Sequence, residues 1–494
     1  MPLQRAKYLL RVWRWGAAVV VALLTGCSGD AVVVVGASLD GLPLPVPTPS
    51  GYTMSALVSD GSVSAVTIDH QLINPWGIAF APDSPVWVAN NATASATLYD
   101  GTGVKDALVV ALPGGIIGPA DPTGVVYNGT NDFLVSNGIS SAAARFIFDG
   151  ERGTLIAWTP AVDGTRGIIA YDDGNGGAVY KGLAIAADRG ANLLYATDFR
   201  NNKIDVFDRD FRKVVSTGGF VDGTLPEGFA PFGIQAVTLG GETVLFVTYA
   251  QRAPGSSADH VNGVGLGLVN VFDTSGTLLR HFVPRGGRLN APWGIALAPS
   301  TFGSLSNAVL IGNFGDGLIN AYDPATGAFV GAISDASGQP LAIPGLWGLA
   351  FGNGVRNQPI ATLFFAAGIA NEVGGLYGRI DVSGGSGSPL APGVPRDTSP
   401  PTVRLSNPPG SHAMVSGIVT LQATVADNVG VVRVEFFGGP FSIGIVTAPP
   451  FVLDWDSTTV ANGDVTLVAR ATDAAGNVGT SDPVVVNVSN PQRP

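Results

Sequence analysis

The chain has 494 residues, 46% of them hydrophobic and only 13% charged, which is enough for two or three domains with sizeable cores. Its 68 glycines and 35 prolines demand many turns, and long runs of strong helix formers are absent, which excludes a helical protein. The net charge of −11 excludes the basic surface that phosphate recognition needs, so nucleic acid is not an expected partner.

Residues 1–26 follow the grammar of an export signal. Arg5, Lys7, Arg11 and Arg14 open it without an acidic residue, and an apolar run from Gly16 to Leu24 follows, too short to span a bilayer comfortably. The run ends in Leu24-Thr25-Gly26-Cys27, which resembles the lipobox of bacterial lipoproteins. Cys27 is the only cysteine of the chain, so internal disulfides are excluded. The resemblance implies cleavage before Cys27, a diacylglycerol on its thiol and a membrane partner held through that lipid. Ser28, where an aspartate would favour retention at the inner membrane, implies the outer membrane of the cell envelope. Without the four signal cations the mature chain keeps 22 basic residues against 37 acidic ones, a net charge of −15. Residues 27–50 read as a stalk.

A repeat fills residues 51–382. A short motif places Gly77, Gly124, Gly182, Gly233, Gly294 and Gly348 each before alternating apolar residues, commonly after a proline and an aromatic. A second strand is expected about ten residues later, as in Val86-Trp87-Val88-Ala89, Phe133-Leu134-Val135-Ser136 and Leu194-Tyr195-Ala196-Thr197. A third follows a polar turn and ends in aspartate, as in Ile204-Asp205-Val206-Phe207-Asp208. Four short antiparallel strands per unit predict a propeller with six blades. The sixth unit lacks an outer strand, and Ala56-Leu57-Val58-Ser59-Asp60 before the first unit resembles Gly331-Ala332-Ile333-Ser334-Asp335 at the end of the fifth. The amino-terminal strand should therefore close the ring. The motif glycines belong where inner strands crowd the axis, and Trp76, Trp293 and Trp347 belong to packing between blades.

Residues 383–399 form a Gly/Ser-then-Pro linker. Residues 400–494 carry six strand-like runs at turn-punctuated spacing, the signature of an Ig-like β-sandwich. Ala426-Asp427-Asn428-Val429-Gly430 and Ala471-Thr472-Asp473-Ala474-Ala475-Gly476-Asn477 resemble the bacterial Ig-like modules of secreted proteins. Asp427, Asn428, Asp473 and Asn477 read as turn formers before calcium ligands. The fold class is thus all-β, a six-bladed β-propeller followed by an Ig-like β-sandwich.

Asp69-His70-Gln71-Leu72-Ile73-Asn74-Pro75-Trp76-Gly77, together with the long loop before Gly265-Leu266-Gly267, resembles an uncharacterised bacterial family of exported six-bladed proteins. Tyr195-Ala196-Thr197-Asp198 with the following strand is similar to an NHL repeat. Neither resemblance implies an activity. Gluconolactonase-like hydrolases of six blades hold a divalent metal with Glu, Asn and Asp. By the blade pattern Asn74, Asn90, Asp121, Asn137, Asp198 and Asn313 are candidates near one mouth of the channel, where oxygen ligands would suit calcium. The glutamate of that pattern has no clear counterpart, and Asn and Asp equally serve turns. His70, His260, His281 and His412 lie in different contexts, so a three-His zinc site is not expected. No nucleophile elbow or phosphate loop is present. The polar loop from Gln251 to Gly267 is the best candidate for specificity. The reading is a membrane-anchored binding or scaffold lipoprotein with a protein or glycan ligand on a propeller face. A metal-dependent lactonase-like hydrolase or lyase is the alternative.

Overall fold

The computed structural model describes residues 51–383, 399–408, 410–427, 431–439, 441–446, 449–473 and 478–491. The lipobox with Cys27, the stalk and most of the linker lie outside the described residues, as do Asn428 and Asn477. No helix among the described residues is long and apolar enough to cross a membrane.

The innermost strands of the propeller are Pro75–Phe80, Pro122–Tyr127, Tyr180–Asp188, Phe229–Leu239, Pro292–Leu297 and Leu346–Phe351. Each leads an antiparallel sheet whose later strands step outwards, and successive inner strands touch, the sixth against the first. The sixth blade takes its outer strand from Tyr52–Ser59, which pairs antiparallel with Leu376–Val382. That strand is also tied to the fifth blade, where Tyr52 N–H donates to Ser334 O at 2.8 Å and Tyr52 Oη to Phe302 O at 2.9 Å. The chain that runs on into the first blade is thus built into the last, and Asn74 N–H of the first blade donates to Gly374 O of the sixth at 3.1 Å, which leaves no free seam.

The second blade departs from the expected pattern. Its second strand is Phe146–Gly150, followed by Thr154–Trp158 and Ile168–Asp172. Leu134–Ser136, expected in that place, instead pairs with Ser141–Ala143 in a separate hairpin. The local sequence of the hairpin is strand-like, but its buried residues Phe133 and Val135 join the cluster of Phe207 and Phe211 in the third blade.

The six motif glycines explain how the blades meet. A Cβ on Gly77 would lie 2.6 Å from Thr123 O, on Gly124 2.5 Å from Leu183 N, and on Gly182 3.0 Å from Phe232 O. On Gly233 it would lie 2.2 Å from Trp293 O, on Gly294 2.3 Å from Trp347 O, and on Gly348 2.5 Å from Trp76 O. Each glycine is pressed against the backbone of the next inner strand, and the last presses on the first. Only a residue without a side chain permits that approach.

The aspartates that end third strands are turn formers. Asp208 Oδ1 accepts from Arg212 N–H, Asp273 Oδ1 from Thr277 N–H, and Asp323 Oδ1 from Ala325 and Thr326 N–H.

In the carboxy-terminal domain, Thr402–Asn407, Ile418–Ala426 and Val452–Asp456 form one sheet. Ala413–Val415, Val484–Val488, Gly463–Asp473, Val431–Gly438 and Phe441–Val446 form the other, with Val478–Thr480 added to Gly463–Asp473. Leu421, Phe436, Trp455, Leu467 and Val486 are buried in one cluster, the core of a sandwich.

Gly294→Ala should lower unfolding stability by about 2–4 kcal/mol, because the added methyl must displace the Trp347 carbonyl. Gly223→Ala, where nothing lies within 4 Å of the new Cβ, should stay within about 0.5 kcal/mol of the parent in the same urea titration.

Candidate functional site

The inner strands all begin on one face, and the loops between second and third strands share it. The residue before each motif glycine occupies an equivalent place: Trp76, Thr123, Lys181, Phe232, Trp293 and Trp347. The residue after the end of each second-strand pairing forms another such set, which includes Asn91, Glu151, Phe199 and Phe314. Most of these side chains meet on the axis and plug the channel.

The plug is aromatic on one side. Trp76 and Trp347 stack at 3.5 Å between centroids, and Trp293 stands edge-on to both, at 5.9 and 5.8 Å. Phe232 and Phe314 contact Trp347 at 5.8 and 4.2 Å. The tryptophans therefore pack between blades, and they do so across the axis. Trp293 Nε1 donates to Lys181 O at 2.6 Å, linking the fifth blade to the third.

The other side is polar. Lys181 has a side chain only 4% exposed, and its ammonium ion-pairs with Glu151 and lies 5.1 Å from the centroid of Trp76. Glu151 keeps 25% of its side chain exposed, and its second oxygen accepts from Asn91 Nδ2 at 3.0 Å. Burial pushes the Glu151 carboxyl up, but the Lys181 ammonium outweighs it and holds the group below the usual range. Glu372 also reaches this sector. Its carboxyl is raised by burial and then by the charge of Glu151, against a hydrogen bond with Asn74. It sits on three consecutive left-handed residues, Ala370, Asn371 and Glu372, with φ of 55°, 58° and 67°. Such a run costs about 1–2 kcal/mol per residue, and backbone strain of this kind gathers at functional sites.

The loop from Gln251 to Gly267 folds over the mouth. Ala253 N–H donates to Asp259 O and Val261 N–H to Gln251 O, both at 2.8 Å, so it returns as a hairpin. This places the His260 ring 4.9 Å from both Phe232 and Phe314. Burial and then the Lys181 charge lower His260 to about 4, which leaves it neutral at ordinary pH.

Five of the six sequence candidates share this face, and each is bound locally. Asn74 and Asp121 adopt left-handed φ of 47° and 40° just before the prolines that start inner strands, a place these residue types tolerate. Asn74 also accepts from Trp347 Nε1 at 3.3 Å, which ties it to the plug. Asp121 is paired with Arg152 at 2.8 Å, and burial raises its carboxyl. Asp198 accepts from Val179 N–H at 3.1 Å and Asn201 Nδ2 at 2.7 Å, closing the turn after its own strand. Asn90 donates to Thr97 Oγ1 and Asn313 to Arg288 O, both at 2.9 Å.

Asn137 is placed on the opposite face. It lies in the extra hairpin of the second blade, accepting from Ile139 and Ser140 N–H. The residue that stands at the mouth in its stead is Glu151, hidden from sequence reasoning by the misplaced strand. The mouth thus holds two glutamates, Glu151 and Glu372, where the sequence offered no clear one. Lys181 had a legible signal, as the one charged residue in its position of the repeat. Among the described residues no group of three or more His, Cys, Asp or Glu is arranged to hold a metal ion.

Fold and site define the class: a β-propeller protein carrying a bacterial Ig domain. The model of the bacterial Ig domain matches residues 401–469. An uncharacterised protein of Acanthamoeba polyphaga mimivirus is 34% identical over 335 residues, covering 67% of this chain and 80% of the relative. A second from the same virus is 33% identical over 335 residues, 67% of this chain and 85% of its own. The chain belongs to the family of these uncharacterised proteins. Among solved structures, a streptogramin B lyase is 13% identical with a TM-score of 0.39, covering 67% of this chain and 97% of its own. A Penicillium chrysogenum alpha-L-arabinanase is 11% identical with a TM-score of 0.42, covering 67% and 98%. Neither likeness bears on chemistry.

Two outcomes follow from the buried groups. Lys181→Met should cost about 2–4 kcal/mol in urea unfolding by stranding the Glu151 charge, while Lys181→Met with Glu151→Leu should recover part of that loss. Equal losses would show that the ion pair itself is not the cause. Asp149, fully buried in the second blade, is pushed up to about 6 by burial, against bonds from Thr123 Oγ1 and Gly124 N–H. A carboxyl raised in the folded state keeps its proton there while the unfolded chain loses it. Its contribution is therefore intact below pH ~4 and declines as pH rises to ~6, by on the order of 2–3 kcal/mol. Asp149→Asn should flatten that stretch of the stability–pH curve.

Proposed function

We propose that this is an exported binding protein, anchored through lipid on Cys27, that takes its ligand at the mouth formed by Lys181, Glu151, Glu372 and the loop from Gln251 to Gly267. The observation that carries this reading is a nearly buried ammonium whose carboxylate partner still reaches solvent. The plug makes a floor, so a ligand cannot pass along the axis and rests against the polar sector. Two carboxylates in one sector, Glu151 held in place by Lys181 and Asn91, offer acceptors suited to pairs of hydroxyls. That favours a glycan over a protein partner. The Ig-like domain serves as spacer or second contact module, and the stalk leads from the lipid into the strand that closes the ring.

Hydrolysis is the second reading, on one observation. Glu151 is held towards its ionised form and Glu372 towards its protonated form on the same mouth, the split that acid–base pairs use. Oxygen ligation of calcium has less support, because the Asn and Asp candidates are engaged in turns and packing.

A glycan array followed by calorimetry on the purified chain tests both readings. The expected result is binding that weakens at least about tenfold in Glu372→Gln with stability retained, by loss of one charged hydrogen bond. Release of reducing ends, abolished in Glu372→Gln, would replace binding by hydrolysis. No glycan binding at millimolar concentration would sink the mouth as a glycan site. Metabolic labelling with an alkyne fatty acid should mark the parent chain and not Cys27→Ser.

A further inference from the structure

The other end of the axis holds a second chamber. Below the plug the channel narrows to a throat of about 30 Å³, where Gly77, Gly124, Gly294 and Gly348 crowd together. It then widens into a funnel of about 600 Å³ that opens on the face where the inner strands end. Ligand cavities commonly fall in this size range. The funnel is lined by the second halves of all six inner strands, and its lining contains no Asp, Glu, Lys, Arg or His. Phe351, Phe80 and Tyr127, from the sixth, first and second blades, are half-buried members of the lining, packed against Phe302, Phe364 and Phe146 respectively. Ile185 and Leu297, from the third and fifth blades, continue the apolar lining, and Gln235 adds an amide from the fourth. The Gln235 side chain is exposed, and its amide makes only a 3.4 Å contact with Ala236 O among the described residues.

We propose that this funnel is a binding site for a compact, uncharged, ring-containing apolar molecule with a single hydrogen-bonding group, which the Gln235 amide receives. The dimensions choose rings over a chain. Two to four residues per strand line the wall, three on average, a depth of about 10 Å at about 3.3 Å per residue. Dividing about 600 Å³ by about 10 Å gives a section of about 60 Å², roughly 9 Å across. A single extended acyl chain would leave most of that width empty and would meet the throat before it was buried. A charged head is disfavoured because no countercharge lines the wall. A macromolecule could insert no more than a side chain or two. The site is separate from the mouth, since the plug lies between them.

N-phenyl-1-naphthylamine is a suitable probe, being uncharged, aromatic and equipped with one N–H. Its emission should rise on titration with the detergent-free chain carrying Cys27→Ser, saturating at one probe per chain. Thr238→Trp with Ala350→Trp, an exposed and a partly exposed position on the wall, should fill the funnel and weaken binding at least tenfold with an unchanged melting temperature. Gln235→Leu should weaken it severalfold. Absent enhancement, or equal affinity in the filled variant, would overturn the proposal. So would stoichiometric displacement by dodecanol, because the funnel would then be a site for chains.

Discussion

Six inner strands approach one another at a ring of glycines, and the rest of the molecule follows from that approach. At each contact the Cβ that is missing would fall inside the van der Waals envelope of the next backbone. The strands are therefore held closer than side chains would allow, and the channel is throttled at that level. Residues just before the glycines are forced together on one side of the throat. Residues beyond them diverge on the other. One backbone constraint produces both the plug and the funnel. Ring closure by Tyr52–Ser59 maintains it, since an open ring would let the first and last glycine contacts separate.

The plug is not uniformly apolar, which separates this molecule from a plain structural stopper. A buried ion pair adds little net stability compared with well-packed apolar residues, because both charges are removed from water. Lys181 and Glu151 keep that arrangement beside six tryptophan and phenylalanine rings, and Glu372 is brought next to them on a left-handed run of backbone. His260 then covers the aromatic half from above. The polar half remains the part of the plug that solvent can reach, through Glu151.

Legibility differed between elements for physical reasons. The glycine motif was visible because a steric demand repeated six times leaves the same residue type six times. Ring closure was visible because a missing outer strand and a spare one at the other end have matching patterns. The second blade departs from its pattern because alternation records only that a strand has one buried face. It does not record which sheet buries it, and Phe133 and Val135 are covered by the third blade. That departure hid Glu151 and put Asn137 on the opposite face. Asn74, Asn90, Asp121, Asp198 and Asn313 were located on the right face. Local sequence could not tell a ligand from a turn former, because the same oxygen serves both uses.

The sequence by itself determined the all-β class, the blade number, the closing strand and the Ig-like domain, because each rests on local periodicity and on residue types that backbone geometry requires. Only the tertiary structure decided which side chains share the axis. Lys181, Glu151, Glu372 and His260 come from the third, second, sixth and fourth blades, and no spacing rule links them. Their charge states follow from burial and mutual distance, which exist only once the ring has closed.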